Sequence, residues 1–401
     1  MAGGAQVSWL TANLPGIGGV YKQVPQDFQV EEIPLYPCSG AGEHLYLWME
    51  KSGISTRDML QQLTRGLRIK EQEIGYAGLK DTRALTRQRV SIPFKKYDQI
   101  NNLNLKNCKI VNIERHTNKL RLGHLAGNRF TIKLQNVHPE AAARTEAIFI
   151  QLQKKGVPNL FGEQRYGVLG NSSQLGQFLV QRKYEDFCRS LIGEPDLIRN
   201  PDWKNAATAY QRGDIKGALE YLPGGMRDER RLLNSLLAKK SYQQAVLALP
   251  RNLLRLFLSA AQSCFFDLLL VQRITQLDQL MAGDIAIKHV NGACFRVERA
   301  AEEQDRADQF EISPTAPLFG TKVMLATGQP GRAEISLLST AGLSLDSWHL
   351  GQGLTMPGER RALRVPLTDA KIIAAEQETL TLSFALPKGS YATSVLREII
   401  K

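Results

Sequence analysis

The chain has 401 residues and a hydrophobic content of 43%, so it can bury one large core or two ordinary ones and is too long for a single small domain. It carries 51 Lys and Arg against 39 Asp and Glu, a formal net charge of +12. This excess favours a polyanionic partner, either a nucleic acid or an anionic membrane surface. Charge alone does not decide between the two.

The five cysteines predict free thiols rather than disulfides or a metal centre. They are odd in number and scattered, with no Cys-x-x-Cys pair and no histidine at ligand spacing. No unbroken apolar run reaches the length of a membrane span, and the N-terminal segment lacks the order of a signal peptide. We therefore expect a cytoplasmic protein with no structural metal and no membrane partner.

The first third of the chain predicts strands with one helix among them. Short apolar runs such as FQVEEI and HLYLWM alternate with Pro and Gly between residues 20 and 50, as in strands joined by turns. Ser55 or Thr56 can cap a helix whose apolar face repeats at positions 59, 60, 63 and 67. Further strands are predicted over 88–92, 109–116 and 129–134, and a helix follows from Pro139 to Gly156.

The middle of the chain is predicted to be helical from about residue 172 to residue 280, with strand-like pieces over 284–297 and 322–326. Apolar residues then alternate at positions 380, 382, 384 and 386, which indicates a strand near the end. A strand-rich start, a helical middle and a strand-rich end predict an α+β protein. One sheet domain would be interrupted by an inserted domain, with both chain ends in the same core.

Asp81 is the first candidate for chemistry. It lies in YAGLKDTRALTRQRV, residues 76–90, where one acid stands among basic side chains. Neighbouring positive charge favours the ionised carboxylate, which can act as a nucleophile or a base. The composition leaves open a structural role for Asp81, as a turn cap or a surface ion pair.

A second cluster, KLRLGHLAGNRF over residues 119–130, alternates basic and apolar residues before an aromatic. On a strand it would place Lys119, Arg121 and Gly123 on one face, which suits an RNA whose bases can stack. A half-buried strand with a solvated face explains the pattern equally well. The chain has no P-loop, Gly-x-Ser-x-Gly or His-Glu-x-x-His motif, and GIGG at residues 16–19 is not a dinucleotide fingerprint, so nucleotide cofactors and metal catalysis are disfavoured.

These segments together resemble the tRNA pseudouridine synthase D (TruD) family. The family signature is similar to YAGLKD at 76–81 with the following Ala84, Thr86 and Gln88. Similar segments are DFQVE at 27–31, GNRF at 127–130, VPNLFGEQRYG at 157–167 and SYATSVLRE at 390–398. Each match is weak alone, but their number and order extend over nearly the full chain.

The resemblance implies a pseudouridine-synthase domain with a mixed, largely antiparallel sheet over residues 1–157 and 341–401. A family-specific α/β insertion domain, the TRUD domain, would occupy residues 158–340. The resemblance also implies an isomerase that converts uridine to pseudouridine in RNA, with uridine-13 of tRNA as the expected target. No cofactor and no obligatory protein partner are expected.

The resemblance further implies roles for single residues. Asp81 would be the catalytic carboxylate and Lys22 its ion-pair partner, since adjacent side chains diverge and Lys80 would point elsewhere. Phe130 would hold the displaced base, and Asn128 would fix the aspartate or the sugar. Expected RNA-binding residues, most of them lining a positive cleft, are Lys80, Arg83, Arg87, Lys119, Arg121 and Arg165.

Three other interpretations remain open at this point. The chain could be an RNA-binding protein that keeps the fold without catalysis, a synthase that acts on another RNA, or an interaction scaffold built on the helical middle. The paired Lys80-Asp81 and Asn128-Arg129-Phe130 argue against the first, because binding alone needs neither. The basic charge argues against the third.

Overall fold

A computed structural model describes residues 8–167, 169–351 and 353–401. The chain divides into a sheet unit, residues up to 157 together with 365–401, and an insertion unit, residues 158–364. The expected return to the first domain at residue 341 is therefore too early. Residues 341–364 stay in the insertion unit because Trp348 packs on Phe265, with ring centroids 6.3 Å apart, and because a strand over Glu359–Ala362 pairs within that unit.

The sheet unit is built on one eight-stranded sheet. Its strands are β1 (Phe28–Pro34), β2 (His44–Ser52), β3 (Gly75–Tyr76), β4 (Leu85–Pro93), β5 (Cys108–His116), β6 (Leu125–Gln135), β13 (Thr368–Ala375) and β14 (Thr379–Pro387). The order is β13-β14-β6-β1-β4-β2-β5, with β3 paired to β4. Among the described residues only β1 and β4 pair in parallel, so the sheet is mixed and largely antiparallel, as expected.

Helices α1 (Thr56–Leu67) and α2 (Ala141–Lys155) pack on the same face of this sheet. Helix α1 begins at Ser55, whose hydroxyl accepts the Asp58 N–H at 3.1 Å, and its predicted apolar face meets the core residues of β2 and β4. Phe149 of α2 packs on Phe384 of β14, with ring centroids 6.5 Å apart. We call this side of the sheet the helix-covered face.

The two ends of the chain meet in the sheet unit through the last helix, α12 (Ala392–Ile400). The buried carboxylate of Glu398 accepts hydrogen bonds from the backbone N–H groups of Leu10 at 3.2 Å and Thr11 at 2.9 Å. Ile17 donates its N–H to the Ile399 carbonyl at 2.9 Å. The N-terminal segment is thus hydrogen-bonded to the C-terminal helix.

The insertion unit combines many helices with a small sheet. Its helices are α3 (Ser172–Val180), α4 (Tyr184–Ile192), α5 (Pro201–Gln211), α6 (Ile215–Tyr221), α7 (Arg227–Leu237), α8 (Tyr242–Leu247), α9 (Arg251–Gln272), α10 (Ala300–Asp308) and α11 (Gly328–Thr340). Its sheet has the order β11-β10-β8-β9, formed by β8 (Ile285–Lys288), β9 (Cys294–Arg296), β10 (Ile312–Leu318) and β11 (Glu359–Ala362). The connecting strands β7 (Val157–Pro158) and β12 (Arg364–Val365) form a two-stranded sheet.

Helix α9 bears on the expectation that the chain has no membrane-spanning segment. It has 22 residues and is long and apolar enough, by length and composition alone, to cross a membrane. However, 61% of its most apolar window is buried inside the protein, and Leu254, Leu258 and Phe266 are among its core residues. A buried core helix passes the same test, so the composition of α9 is weak support for a membrane span.

The predicted strand over 322–326 is also wrong. The Ala326 N–H donates to the Glu334 carboxylate at 2.8 Å, and the Thr327 N–H donates to the Gly283 carbonyl at 2.9 Å, so this backbone is not available to a sheet. The prediction of free cysteines is confirmed for all five.

Candidate active site

Asp81 and Lys22 form an ion pair in the sheet unit. Asp81 lies in the loop between β3 and β4, and its Oδ2 is 3.0 Å from the Lys22 Nζ. The Asp81 side chain remains 40% exposed, so a ligand can reach the carboxylate while the pair is formed. The pairing expected of Lys22 is confirmed.

The backbone of Lys22 is in the left-handed region, with φ +63°. This conformation is uncommon for a residue with a side chain and costs free energy, which the surrounding structure has to offset. The Lys22 Nζ also lies 3.9 Å from the centroid of the Phe28 ring. The ammonium is therefore fixed between the Asp81 carboxylate and an aromatic face.

Strand register brings Asn128 and Phe130 next to this pair. Val30 of β1 lies opposite Phe130 of β6, and Glu32 lies opposite Asn128, so all four point to the helix-covered face. The Phe130 ring packs between Phe28 and Phe384, with centroids 6.1 and 5.5 Å away, and is only 6% exposed. Phe130 is mainly a core residue, and the base contact expected of it is limited to a small part of the ring.

Lys80, expected among the RNA-binding residues, is buried and bound inside the protein, so its contact with RNA stays a prediction that its position does not favour. Its buried Nζ is 3.1 Å from Glu32 Oε2 and 2.8 Å from Asn128 Oδ1. The inward direction follows from the alternation of side chains along an extended segment, because Asp81 occupies the outer side. Burial raises the pKa of the Glu32 carboxyl above its usual value, although the Lys80 ammonium acts in the opposite direction.

The Lys80 bond fixes the orientation of the Asn128 amide. An ammonium group has only donors, so the atom it meets must be the amide oxygen. The Asn128 NH2 group is then turned away from Lys80 and keeps its two donors. A sugar hydroxyl or a carboxylate would fit such a donor.

Three buried side chains hold the backbone of the loop that carries Asp81. Gln88 donates to the Gly78 carbonyl at 3.2 Å, Thr56 accepts the Lys80 N–H at 2.9 Å, and Lys51 donates to the Asp81 carbonyl at 2.7 Å. Lys51 also donates to the Ile54 carbonyl at 2.9 Å, and burial lowers its pKa to about 8. Gln88 was visible in the signature, but nothing in the sequence around Lys51 or Glu32 indicated their roles.

Arg87 lies on the opposite side of the sheet from the site. It is paired with Glu50 at 2.8 Å and Glu31 at 3.7 Å, and Glu31 is its neighbour in the β1–β4 register. The structure therefore does not bring Arg87 together with the other residues of the site, and its contact with RNA stays a prediction. Arg83 and Arg121 are exposed, and within the described part of the chain their side chains have no hydrogen-bond or ion-pair partner.

Lys119 and Arg165 have protein partners. The Lys119 Nζ donates to the Gln72 carbonyl, in a segment that forms a loop and a turn instead of the strand considered for residues 119–123. Arg165 belongs to the insertion unit and donates to the hydroxyls of Ser263, at 3.1 Å, and Ser259 of α9. A structural role is therefore sufficient to account for the presence of both side chains, and their contact with RNA stays a prediction.

No three His, Cys, Asp or Glu side chains cluster for metal binding among the described residues. The chemistry available at the site is that of one accessible carboxylate, one ammonium partner and one amide donor. This set suits reactions at a sugar carbon, where an ionised carboxylate can act as nucleophile or base.

A family model described as tRNA pseudouridine synthase D (TruD) matches residues 5–399. The chain belongs to this family. The family consists of isomerases that convert uridine to pseudouridine in tRNA, so the chain falls in this class of enzyme and has an RNA substrate.

Relatives and a solved structure agree with the assignment. The chain is 51% identical to the tRNA pseudouridine synthase D of Syntrophotalea carbinolica, over 98% of this chain and 99% of the relative. It is 38% identical to that of Thermus thermophilus, over 98% and 92%. A crystal structure from Methanosarcina mazei, described as a candidate tRNA pseudouridine synthase D, superposes with a TM-score of 0.84 at 28% identity, over 98% and 96% of the two chains. The expected α+β fold is thereby confirmed.

Proposed function

We propose that this chain isomerises uridine-13 of tRNA to pseudouridine with Asp81 as the catalytic carboxylate. The observation that carries the proposal is the Lys22–Asp81 pair at 3.0 Å on a loop whose backbone is held at Gly78, Lys80 and Asp81. Preorganisation of this kind keeps a reactive group in place without a cost at the moment of reaction.

The reaction needs one carboxylate and no external group. Asp81 either attacks C1′ of the ribose as N1 of the base leaves, or removes the 2′ proton so that a glycal forms as the same bond breaks. The uracil then turns and its C5 bonds to C1′, as the Asp81–C1′ bond breaks in the first route or as C2′ regains its proton in the second. The C5 proton is lost and N1 gains a proton. Nothing is consumed, so we propose no cofactor.

The neighbouring residues support these steps. The Lys22 ammonium orients the Asp81 carboxylate through the ion pair, and Phe28 beneath it fixes the ammonium. The free donors of Asn128 face a ribose hydroxyl, because its oxygen is bound to Lys80. Phe130, although only 6% exposed, would contact the displaced base with the accessible part of its side chain.

RNA binding follows from the distribution of charge. Residues 1–157 and 365–401 contain 26 Lys and Arg against 17 Asp and Glu, a net charge of +9 out of +12 for the chain. Phosphate contacts give affinity without reading sequence. Arg83 and Arg121, which have exposed and unpaired side chains, are the best placed for them. We propose action in the cytoplasm, where such a tRNA would be found.

The test is pseudouridine mapping by carbodiimide modification and primer extension on an unmodified tRNA transcript. Wild type, Asp81→Asn and the control Asp98→Asn, an exposed aspartate of the same unit, are compared. We expect a new stop at position 13 with wild type and with the control, and none with Asp81→Asn, because an amide cannot act as nucleophile or base.

The other outcomes separate the alternatives. A stop with Asp81→Asn at the wild-type rate would refute the role of Asp81. A stop at another uridine, or only in other cellular RNA, would refute the target but not the reaction. Binding of tRNA without any stop would favour an RNA-binding protein that lacks catalysis.

A further inference from the structure

Leu79 is a large apolar side chain that the structure keeps in water beside the site. It is 58% exposed, whereas the next side chain, Lys80, is buried and the following one, Asp81, is again accessible. This alternation places Leu79 and Asp81 on the same, outward side of the loop. Leu79 is therefore an apolar side chain two residues from Asp81 that a ligand at the site can contact.

The exposure of Leu79 is imposed by a rigid backbone. The loop is bound through Gly78 and Lys80 on either side of Leu79, and the Lys80 side chain is anchored to Glu32 and Asn128. Leu79 therefore cannot turn inward without breaking a buried ion pair. A fixed apolar side chain of this kind is suited to contact with an apolar surface.

Leu122 provides a second exposed apolar side chain next to the same loop. It is 69% exposed at a turn closed by a hydrogen bond from the His124 N–H to the Arg121 carbonyl at 3.1 Å. The turn is tied to the Asp81 loop by the Gly123 N–H, which donates to the Ala77 carbonyl at 2.8 Å. The two loops form one surface. Each loop also carries an exposed arginine, Arg83 in the loop of Leu79 and Arg121 in the turn of Leu122.

We propose that Leu79 and Leu122 form a wedge that enters the base stack of the RNA beside the target uridine. The proposal rests on the proposed function, since a uridine within a stack cannot present its glycosidic bond to Asp81. Apolar side chains that insert between bases replace the stacking surface lost when a base leaves, and the neighbouring arginines bind the phosphates on either side. Leu79 and Leu122 are thus positioning residues and take no part in bond making.

The test separates unstacking from binding and from chemistry. A tRNA carrying 2-aminopurine next to the isomerised uridine reports unstacking as a rise in fluorescence. Binding and fluorescence are measured in an Asp81→Asn background, where no product forms, with and without Leu79→Ala and Leu122→Ala. Single-turnover rates are measured for the same leucine variants with Asp81 intact, and Val111→Ala, a 45% exposed residue on β5 at the edge of the sheet, is the control.

We expect the double leucine variant to lose most of the fluorescence rise and to react roughly 10-fold or more slowly, while its affinity falls by no more than about 3-fold. The control should behave as wild type. Wild-type fluorescence and rate in the double variant would overturn the proposal, and so would losses of signal that merely follow an equal loss of affinity. Failure of wild type to isomerise the tRNA at all would instead count against the proposed function.

Discussion

Lys80 and Asp81 are adjacent in sequence and have opposite environments. The carboxylate is accessible and paired with Lys22, whereas the ammonium is buried with Glu32 and Asn128. Loss of one partner from a buried pair leaves an uncompensated charge, while loss of an exposed pair costs little. Substitutions that break a buried pair and an accessible pair in this unit should therefore change the free energy of unfolding by different amounts.

We expect Lys80→Met to lower the free energy of unfolding by about 3–5 kcal/mol, because Glu32 would remain buried without its cation. Arg87→Met should cost less than about 1 kcal/mol, because Arg87 is half-exposed and Glu50 keeps a second cation, Lys109, at 3.0 Å. Urea unfolding of both variants measures the difference. Equal losses would show that the Lys80–Glu32 pair is not buried in the folded protein.

Lys51 predicts a dependence of stability on alkaline pH. Burial lowers its folded pKa from 10.5 to about 8, so between these values the unfolded chain binds more protons than the folded one. Stability therefore rises with pH over this window relative to Lys51→Met, and the cost of the buried charge is fully present below about 8. Urea unfolding of the two proteins between pH 7 and pH 10.5 tests this; a constant difference would contradict it.

Helix α1 carries a further support of the Asp81 loop at its first residue. The Thr56 hydroxyl accepts the Lys80 N–H at 2.9 Å and donates to Gln88 Oε1 at 3.2 Å. The Thr145 hydroxyl in α2 is also buried, yet it has no hydrogen-bond partner among the described residues. The two threonines form a matched pair for substitution by valine, which has the same shape without the hydroxyl.

We expect Thr56→Val to destabilise the protein by about 1–3 kcal/mol, because it leaves the buried Lys80 N–H unsatisfied. The same variant should slow isomerisation, since the loop around Asp81 loses a support. Thr145→Val should be neutral or stabilising. Thermal unfolding measures the stabilities and single-turnover assays measure the rates. If Thr56→Val changes neither, the loop is held in place without this hydrogen bond.

The sequence predicted well where one physical rule determines the structure. Helix α1 and strand β14 follow from a single apolar period, and Gly156 ends α2 with φ +90°. Prediction failed where the backbone hydrogen bonds go to residues that the local sequence pattern does not indicate. The strand considered over 119–123 is a turn because Gly123 has φ +83° and donates to Ala77, and strand β11 depends on a partner far away in sequence.

The same limit applies to the candidate site: residues in a recognisable motif were predicted, and residues whose role depends on a distant partner were not. The motif led to Asp81, and the resemblance led to Lys22, Asn128 and Phe130, all of which lie together. The roles of Glu32 and Lys51 could not be read, because a charged residue in a strand gives no sign of its partner. Only the β1–β6 register and the β2–β4 pairing reveal that both point to the site.

At the scale of the whole molecule, the charge is concentrated in the sheet unit, and this predicts which arginines meet RNA. Each phosphate contact that is lost reduces the slope of log affinity against log salt by about 1. We expect this change for Arg83→Ala and for Arg121→Ala, and none for Arg87→Ala, which lies on the opposite face. Filter binding of tRNA between 50 and 200 mM salt, roughly the range in which such slopes are resolved, measures it. Unchanged slopes for both exposed arginines would place the phosphates elsewhere.

The junction of the chain ends has a consequence for synthesis on the ribosome. All of the insertion unit, residues 158–364, is synthesised before β14 and α12. Strand β14 lies next to β6 within the sheet, and Glu398 supplies the partners of Leu10 and Thr11. The insertion unit therefore has its whole sequence before the sheet that carries Asp81 has all of its strands. A ribosome that stalls after residue 364 and before β14 would release the whole insertion unit attached to a sheet without β14 and α12, and therefore an inactive enzyme.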